Sequence, residues 1–460
     1  MQLEELKQIY QTIKDQALED YKEFLKFPSI SSEKEHKQDV RNCCEWLNNY
    51  LINAGLTTEI IETAGHPVVL ASYEKAKNQP TLLIYNHYDV QPVDPIELWK
   101  TPPFEPTIRD EKIYARGAQD NKGQCFYTIL AIKTLLQVTK ELPINIKICI
   151  EGEEEFGSFG LSSILKSHKE KFKADYLAIV DVGIPSMQKP ALTLGVRGIT
   201  TMDITIEGTS TDLHSGSHGG LAFNPIHALV ELLGALRDKN GRITIPGFYD
   251  DVQELDENTK KQFNFSFDES EYLKSFGAEA SGGEKNYSPL ERAWTRPTLE
   301  INGITGGYSG YGFKTVIPAK ASAKVSCRLV PNQDPKKIGH LVSDYLQKIA
   351  PKGVKVQVFN HPGGGKAVRV SPNSLVVKAF AQAYTHVFNK DCDFSLEGGS
   401  IPIIPELCQA SGAEVVLVGL GLNEDNIHAP NEHFSLDRIE KGFLIIANAI
   451  QLLANKQISK

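Results

Sequence analysis

Thr81-Leu82-Leu83-Ile84-Tyr85-Asn86-His87-Tyr88-Asp89-Val90-Gln91-Pro92 is the stretch from which the rest of the chain is read. It opens with an apolar run, Thr81 to Ile84, and polar side chains gather only where the run ends. That pattern predicts a buried strand over Thr81 to Tyr88. Side chains alternate along a strand, so His87 and Asp89 project the same way from its C-terminal end. Open α/β sheets hold their sites beyond the carboxyl ends of their strands. A histidine two residues from a carboxylate suits a metal ligand steadied by an acidic neighbour.

The same rhythm recurs along the chain. Leu3 to Leu25 and Asp39 to Ala54 are expected as helices, and Thr58 to Glu62 and Val68 to Tyr73 as strands. After Arg116-Gly117-Ala118-Gln119-Asp120-Asn121-Lys122-Gly123 a helical pattern runs from about Gln124 to Val138. The strand Asn145 to Ile150 ends in Glu151-Gly152-Glu153-Glu154-Glu155-Phe156-Gly157-Ser158. A helix over about Leu161 to Phe172 leads to the strand Tyr176 to Val180, which ends at Asp181. Strand, site residue, helix, strand predicts an α/β fold with a mostly parallel sheet.

Near Ala191 the texture changes. Thr200 to Glu207, Thr298 to Ile304 and Ala321 to Val330 alternate, and Lys355 to Phe359 is a further strand. Pro225 to Arg237, Pro335 to Ile349 and Ser374 to Phe388 are helical, and Phe248 to Glu291 is polar and insert-like. A half-exposed antiparallel sheet with helices on one side fits this α+β region. From about Ser400 the first rhythm returns, with a buried strand at Val415 to Leu420 and a terminal helix over Phe434 to Asn455. The expected organisation is a discontinuous catalytic domain, residues 1–192 and 400–460, interrupted by an inserted α+β domain, residues 193–399.

At 460 residues the chain is too long for one ordinary core, so two domains are the natural expectation. Hydrophobic residues at 41% and charged residues at 23% are the profile of a globular protein rather than a disordered one. A net charge of -8 without a basic stripe argues against a nucleic-acid partner. No run approaches the ~18–20 apolar residues of a membrane span. Met1 to Lys26 lacks the basic start and apolar middle of a signal peptide. The seven cysteines are odd in number and scattered, as in a reducing cytoplasm, and a cytoplasmic location is expected.

Each polar cluster follows a predicted strand, so His87, Asp120, Glu154 or Glu155, Asp181 and His428 could converge. Singly, each has a plainer explanation: a hydrogen-bonded core histidine, a helix cap at Asp120, a turn at Asp181, a loop residue at His428. The triple glutamate is harder to set aside. So much like charge beside a buried strand is unfavourable unless a cation neutralises it or solvent screens it.

Taken in order, His87-Tyr88-Asp89, Arg116-Gly117-x-x-Asp120-x-Lys122-Gly123, Glu151-Gly152-x-Glu154-Glu155-x-Gly157-Ser158, Asp181 and His428 resemble the metal-site motifs of the dizinc peptidase and deacylase family. That family includes carnosine dipeptidases, carboxypeptidase G and succinyl-diaminopimelate desuccinylase, and the similarity is greatest to the carnosine-dipeptidase branch. The resemblance implies that His87 and Asp181 bind one metal and Glu155 and His428 the other. Asp120 would bridge both, Asp89 would orient His87, and Glu154 would be the general base that activates a metal-bridging water. Two dications against three carboxylates and a bridging hydroxide then balance in charge. Zinc is the expected ion, with manganese or cobalt as alternatives for the same ligand types.

In the inserted region, Asp212-Leu213-His214-Ser215-Gly216 resembles the family's histidine motif, in which the histidine reaches across a homodimer to steady the oxyanion. The insert would thus be a lid and dimerisation domain. Arg328 would clamp a substrate carboxylate. Gly399 and Ser400, in Glu397-Gly398-Gly399-Ser400-Ile401-Pro402, would assist it through backbone N–H groups, and Asn302 is a further substrate-contact candidate. Glu153 and Phe156 depart from the family's pattern and put the pocket's shape in doubt. Gly363-Gly364-Gly365 lacks the strand-to-helix context of a phosphate cradle and is expected to be a mobile loop.

The reading is a metal-dependent dipeptidase acting on short peptides with a free C-terminal carboxylate. The alternatives are an N-acyl-amino-acid deacylase, such as a desuccinylase, and a non-catalytic peptide-binding protein. An intact ligand set accompanied by Glu154 argues against the last.

Overall fold

The computed structural model describes residues 1–263 and 266–455. These fall into two units: Met1–Gly195, Val370–Ser395 and the chain from Ile403 onward form the first, and Val196–Arg369 with Leu396–Pro402 form the second.

The sheet of the first unit runs in the order Thr57–Ile61, Val68–Tyr73, Asn145–Glu151, Thr81–His87, Tyr176–Val180, Glu414–Val418, Ala191–Val196. Its four central strands, from Asn145–Glu151 to Glu414–Val418, are parallel, while the first two run antiparallel to their neighbours. Parallel strands are covered on both faces and so carry apolar side chains on both. Accordingly every residue from Leu82 to His87 is buried. The helix Lys122–Thr139 is buried from Lys122 to Ile132 without a polar face, because helices Leu3–Leu25 and Leu436–Asn455 pack against it.

Two expectations are corrected in this unit. The helix expected over Leu161 to Phe172 is in two pieces, Phe159–Leu165 and Lys169–Phe172. At the break the Ile164 carbonyl accepts from both His168 N at 2.9 Å and Ser167 Oγ at 3.1 Å, so the last helical bond shares its acceptor with a side chain. The insertion also does not run unbroken from 193 to 399, because residues 370–395 belong to the first unit. Their helix, Leu375–Phe388, buries Val376, Val377, Phe380, Ala383 and Tyr384 against the Leu436–Asn455 helix and the Glu414–Val418 strand. Tyr384 Oη fixes it there by donating to the Gly419 carbonyl at 2.7 Å.

In the second unit a four-stranded antiparallel sheet runs Thr298–Gly306, Lys320–Leu329, Gly198–Glu207, Lys355–Asn360. Gly198–Glu207 alternates buried and half-buried at every residue. Its buried face, Met202, Ile204 and Ile206, joins Leu229, Leu232 and Val342 from helices Pro225–Gly234 and Pro335–Ile349 in one core. A register shift between Ile301 and Gly303 leaves Asn302 at a bulge, a feature that re-aims a side chain. Gly365 pairs with Ile199 in both directions, at 2.8 and 3.0 Å, so the triple glycine is tied to the sheet rather than loose. A Cβ on Gly365 would lie 2.6 Å from Pro402 Cα, so glycine is needed for this close approach.

Among the described residues no helix is long and apolar enough to cross a membrane. All seven cysteines are free.

Candidate metal centre and substrate-binding residues

The carboxyl ends of the central parallel strands bring His87, Glu154, Glu155, Asp181 and His428 together in the first unit, with Asp120 from the loop preceding the Lys122–Thr139 helix. His87 Nε2 lies 3.2 Å from Asp120 Oδ1 and 3.6 Å from Asp181 Oδ1. His428 Nε2 lies 2.9 Å from Asp120 Oδ2 and 3.4 Å from Glu155 Oε2. Two sets of three ligand atoms result, His87–Asp120–Asp181 and Asp120–Glu155–His428, each within 4.8 Å of one another and sharing Asp120. Glu154 belongs to neither set, which leaves its carboxylate free for another task.

The electrostatics fit cations. Hydrogen bonds to Asp120 and Glu155 raise His428 to about 11. Burial opposes charge on His87, yet Asp181 and Asp120 hold its ring well above the ordinary imidazole range. Burial pushes Glu155 up to about 7, with Asp120 adding to it and His428 opposing. For Asp120 burial works upward, but bonds from His428 and His87 outweigh it and hold the carboxyl below its usual range. Burial lifts Glu154 well above an ordinary glutamate, His87 opposing and Asp181, Glu155 and Asp120 adding. Negative charge gathered this closely draws protons onto both imidazoles, and divalent cations would take their place. Buried Glu155 Oε1 has no hydrogen-bond partner, and His87 Nε2 faces only the Asp120 and Asp181 carboxylates, as the ligand atoms of a metal would. The nitrogen and oxygen donor set suits a divalent first-row metal.

Local sequence explains how the ligands are held. Asp89, fully buried, approaches His87 Nδ1 at 3.2 Å through Oδ1, which also accepts from Glu154 N at 3.1 Å. Its Oδ2 accepts from Glu155 N at 3.1 Å and Ser31 Oγ at 2.7 Å. One carboxylate therefore steadies the His87 ring and caps the turn carrying both glutamates. His428 sits at φ 57, a left-handed conformation that costs a non-glycine residue of order 1 kcal/mol or more and is met where function over-determines the backbone. Glu153 points elsewhere: its Oε2 accepts from Gly160 N at 2.9 Å and His66 N at 3.4 Å. The doubt that Glu153 raised over the pocket's shape is thereby removed. Phe156 is about half exposed.

Several positioning residues escape the sequence reading. Asn121 Nδ2 donates to Asp181 Oδ1 at 2.7 Å and to the Val180 carbonyl at 2.8 Å, while its Oδ1 accepts from Asn86 Nδ2 at 2.8 Å. Gln91 Nε2 donates to Glu155 Oε2 at 2.8 Å. Glu432, fully buried, accepts from Arg116 Nη1 and Gly117 N, both at 2.8 Å, from Gln119 N at 2.9 Å and from Asp120 N at 3.0 Å. It shapes the loop that presents Asp120. Glu432 follows His428 by only four residues, the one signal that could have drawn attention to it.

The remaining candidates lie in the second unit. Arg328 Nη1 donates to Ser400 Oγ at 2.8 Å, which joins two of them. Gly399 does not offer a free N–H, contrary to expectation: Glu397 Oε1 accepts from Gly398 N at 2.8 Å and Gly399 N at 3.2 Å. A carboxylate one or two residues back reaches these donors before a ligand can. His214 is exposed, ends the short strand Leu213–His214 paired with Val316–Ile317, and accepts from Gly216 N through Nδ1 at 3.1 Å. Arg197 was not foreseen. Its Nε donates to the Gly398 carbonyl at 2.9 Å and its Nη1 to the Arg296 carbonyl at 3.4 Å. Burial and the neighbouring Arg328 guanidinium push Arg197 down to about 10, and burial lowers Arg328.

Paired ligand sets sharing one aspartate, with a half-buried glutamate beside them, define the site of a metal-dependent hydrolase. The chain belongs to peptidase family M20/M25/M40, which it matches over residues 83–452. It is 32% identical to the Cys-Gly metallodipeptidase of Schizosaccharomyces pombe over 99% of both chains. It is 35% identical to the Beta-Ala-His dipeptidase of Homo sapiens, covering 80% of this chain and 73% of that one. A solved structure of an M20-family metallo-carboxypeptidase from Sulfolobus solfataricus superposes with a TM-score of 0.87 at 37% identity, over 95% of this chain and 99% of that one.

Proposed function

We propose that the protein is a metal-dependent dipeptidase that hydrolyses short peptides with a free C-terminal carboxylate, using two divalent ions, zinc foremost. The observation that carries this reading is Asp120 shared between two ligand sets while Glu154 stays outside both. His87, Asp120 and Asp181 would hold one ion, and Asp120, Glu155 and His428 the other. When bound, such a pair activates a water molecule and polarises the scissile carbonyl.

The chain's own residues supply the rest. Glu154 accepts the water's proton and returns it to the leaving amine, a task for a carboxyl whose pKa burial has raised. Asp89 fixes both the base's turn and the ring of His87. Arg328, with Ser400, takes the substrate's carboxylate. His214, contributed across a homodimer, donates to the developing oxyanion. Seven free cysteines accord with a reducing, cytoplasmic setting.

The similarity to a metallo-carboxypeptidase favours a second reading, release of the C-terminal residue from longer peptides, which needs the same carboxylate clamp. Purified protein with known metal content, offered dipeptides, tripeptides and N-acyl amino acids, separates the possibilities. Turnover confined to dipeptides with free termini is expected. Release of acetate or succinate with no dipeptide turnover would reject it in favour of a deacylase. Preference for N-blocked and longer peptides would favour the carboxypeptidase.

A further inference from the structure

We infer that Arg197 is the positioning residue of the carboxylate subsite: it fixes the Gly398–Ser400 turn so that Ser400 orients Arg328 toward the substrate's C-terminus. This rests on the reading of Arg328 as the carboxylate clamp.

Residues 396–402 are the one stretch of the second unit that returns to it from a distant part of the sequence. Nothing covalent nearby fixes its register, so the register must come from non-local bonds. Arg197 supplies two. Its backbone N donates to the Gly399 carbonyl at 2.9 Å, and its side-chain Nε donates to the Gly398 carbonyl at 2.9 Å. Consecutive carbonyls held by one residue leave the peptide planes of this turn little rotational freedom. Two glycines would otherwise give the turn more conformational freedom than any other pair of residues.

The rest of the turn is held in the same way. Glu397 Oε1 ties down the N–H groups of Gly398 and Gly399, and Pro402 packs against Gly365. Ser400, immediately after the clamped pair, is the residue whose Oγ accepts from Arg328 Nη1 at 2.8 Å. That bond engages one end of the Arg328 fork and so sets the direction in which the rest of it points. A planar guanidinium pairs with a carboxylate through two parallel bonds, and its orientation governs the strength of that pairing.

Charge gives a second reason for arginine here. Burial and the Arg328 guanidinium disfavour charge on Arg197, burial disfavours it on Arg328, and Glu397 offsets part of this for both. A substrate carboxylate entering beside Arg328 relieves that repulsion. Arg197 thus both aims the clamp and sharpens its preference for an anion, without itself touching substrate.

The test compares a dipeptide with its C-terminal amide, using wild-type protein, Arg197→Met, Arg197→Lys, and Arg328→Met as reference. Wild type should favour the free acid, and Arg328→Met should abolish that preference. Arg197→Met should raise KM for the acid roughly tenfold or more, with kcat changed far less and KM for the amide little changed, as for loss of a hydrogen bond from a charged donor. Arg197→Lys should recover part of the acid preference, since it keeps the charge and one donor. Loss of folded protein alone would lower kcat for both substrates equally and leave the acid-to-amide ratio at its wild-type value. That result overturns the inference. Absence of acid preference in wild type itself, or its survival in Arg328→Met, would instead reject the clamp.

Discussion

Glu154 and Glu155 are adjacent, yet their surroundings assign them different tasks. Glu155 meets His428 at 3.4 Å and Gln91 Nε2 at 2.8 Å, a setting that suits a metal ligand, while Glu154 stands outside both candidate ligand sets. Replacing Glu154 should therefore remove the proton carrier and leave the metal in place. Glu154→Ala is expected to lower kcat by about 10²–10⁴-fold, the range typical of a general acid–base group, with metal stoichiometry unchanged. Elemental analysis beside steady-state kinetics checks both halves. Loss of metal in step with activity would make Glu154 a ligand instead. Residue types of this kind were legible in the sequence, because an ionisable side chain directly after an apolar run is conspicuous. Asn86, Asn121 and Arg197 were not, since an amide or a guanidinium is ordinary at a strand end or helix start. Their roles come only from partners 35 to 201 positions away.

At the scale of elements, the strands of the first unit's sheet were read nearly to the residue. Val68–Tyr73 and Tyr176–Val180 agree at both ends, because apolar runs bounded by polar residues mark strands clearly. What the pattern cannot convey is which sheet an apolar helix face will meet, and so Leu375–Phe388 was placed with the insertion although it packs in the first unit. Loops are harder still. The loop from Arg116 to Asp120 has no regular ladder of its own, and Glu432 substitutes for one by collecting three backbone N–H groups and the Arg116 guanidinium. Removing that carboxylate leaves three backbone donors without an acceptor and takes the counter-charge from buried Arg116, which keeps only the Pro92 carbonyl on Nη2. Glu432→Ala should destabilise the protein by about 3–5 kcal/mol, the range for breaking a buried ion pair. It should also weaken metal binding, since Asp120 loses the anchor of its own N–H. Calorimetry and metal titration on the same preparation test this. An unchanged melting temperature would mean that the loop is held by something other than Glu432.

At the scale of the whole molecule, the two candidate ligand sets and Glu154 belong to the first unit, whereas Arg328, Ser400 and His214 belong to the second. The assignment of His214 to a neighbouring subunit makes a demand that a single chain cannot meet. A dimer pairing one Glu154→Ala chain with one His214→Ala chain contains two unlike sites. If His214 acts across the interface, one site combines a defective base with a missing histidine, and the other combines an intact Glu154 with an intact His214. Each homodimeric variant would be nearly inactive, while the mixed dimer, purified through two different tags, should recover about half the wild-type rate from its one complete site. If His214 serves the site of its own chain, each site of the mixed dimer lacks one of the two groups, and activity stays at the background of the single variants. Sedimentation of the wild-type protein as a monomer at working concentration would reject the shared arrangement outright. The setting of His214 allows such an arrangement: it is exposed, on a two-residue strand paired with Val316–Ile317, and while Gly216 N donates to its Nδ1 at 3.1 Å, its Nε2 meets Thr315 Oγ1 at 3.5 Å, a weak contact that a substrate oxygen could displace.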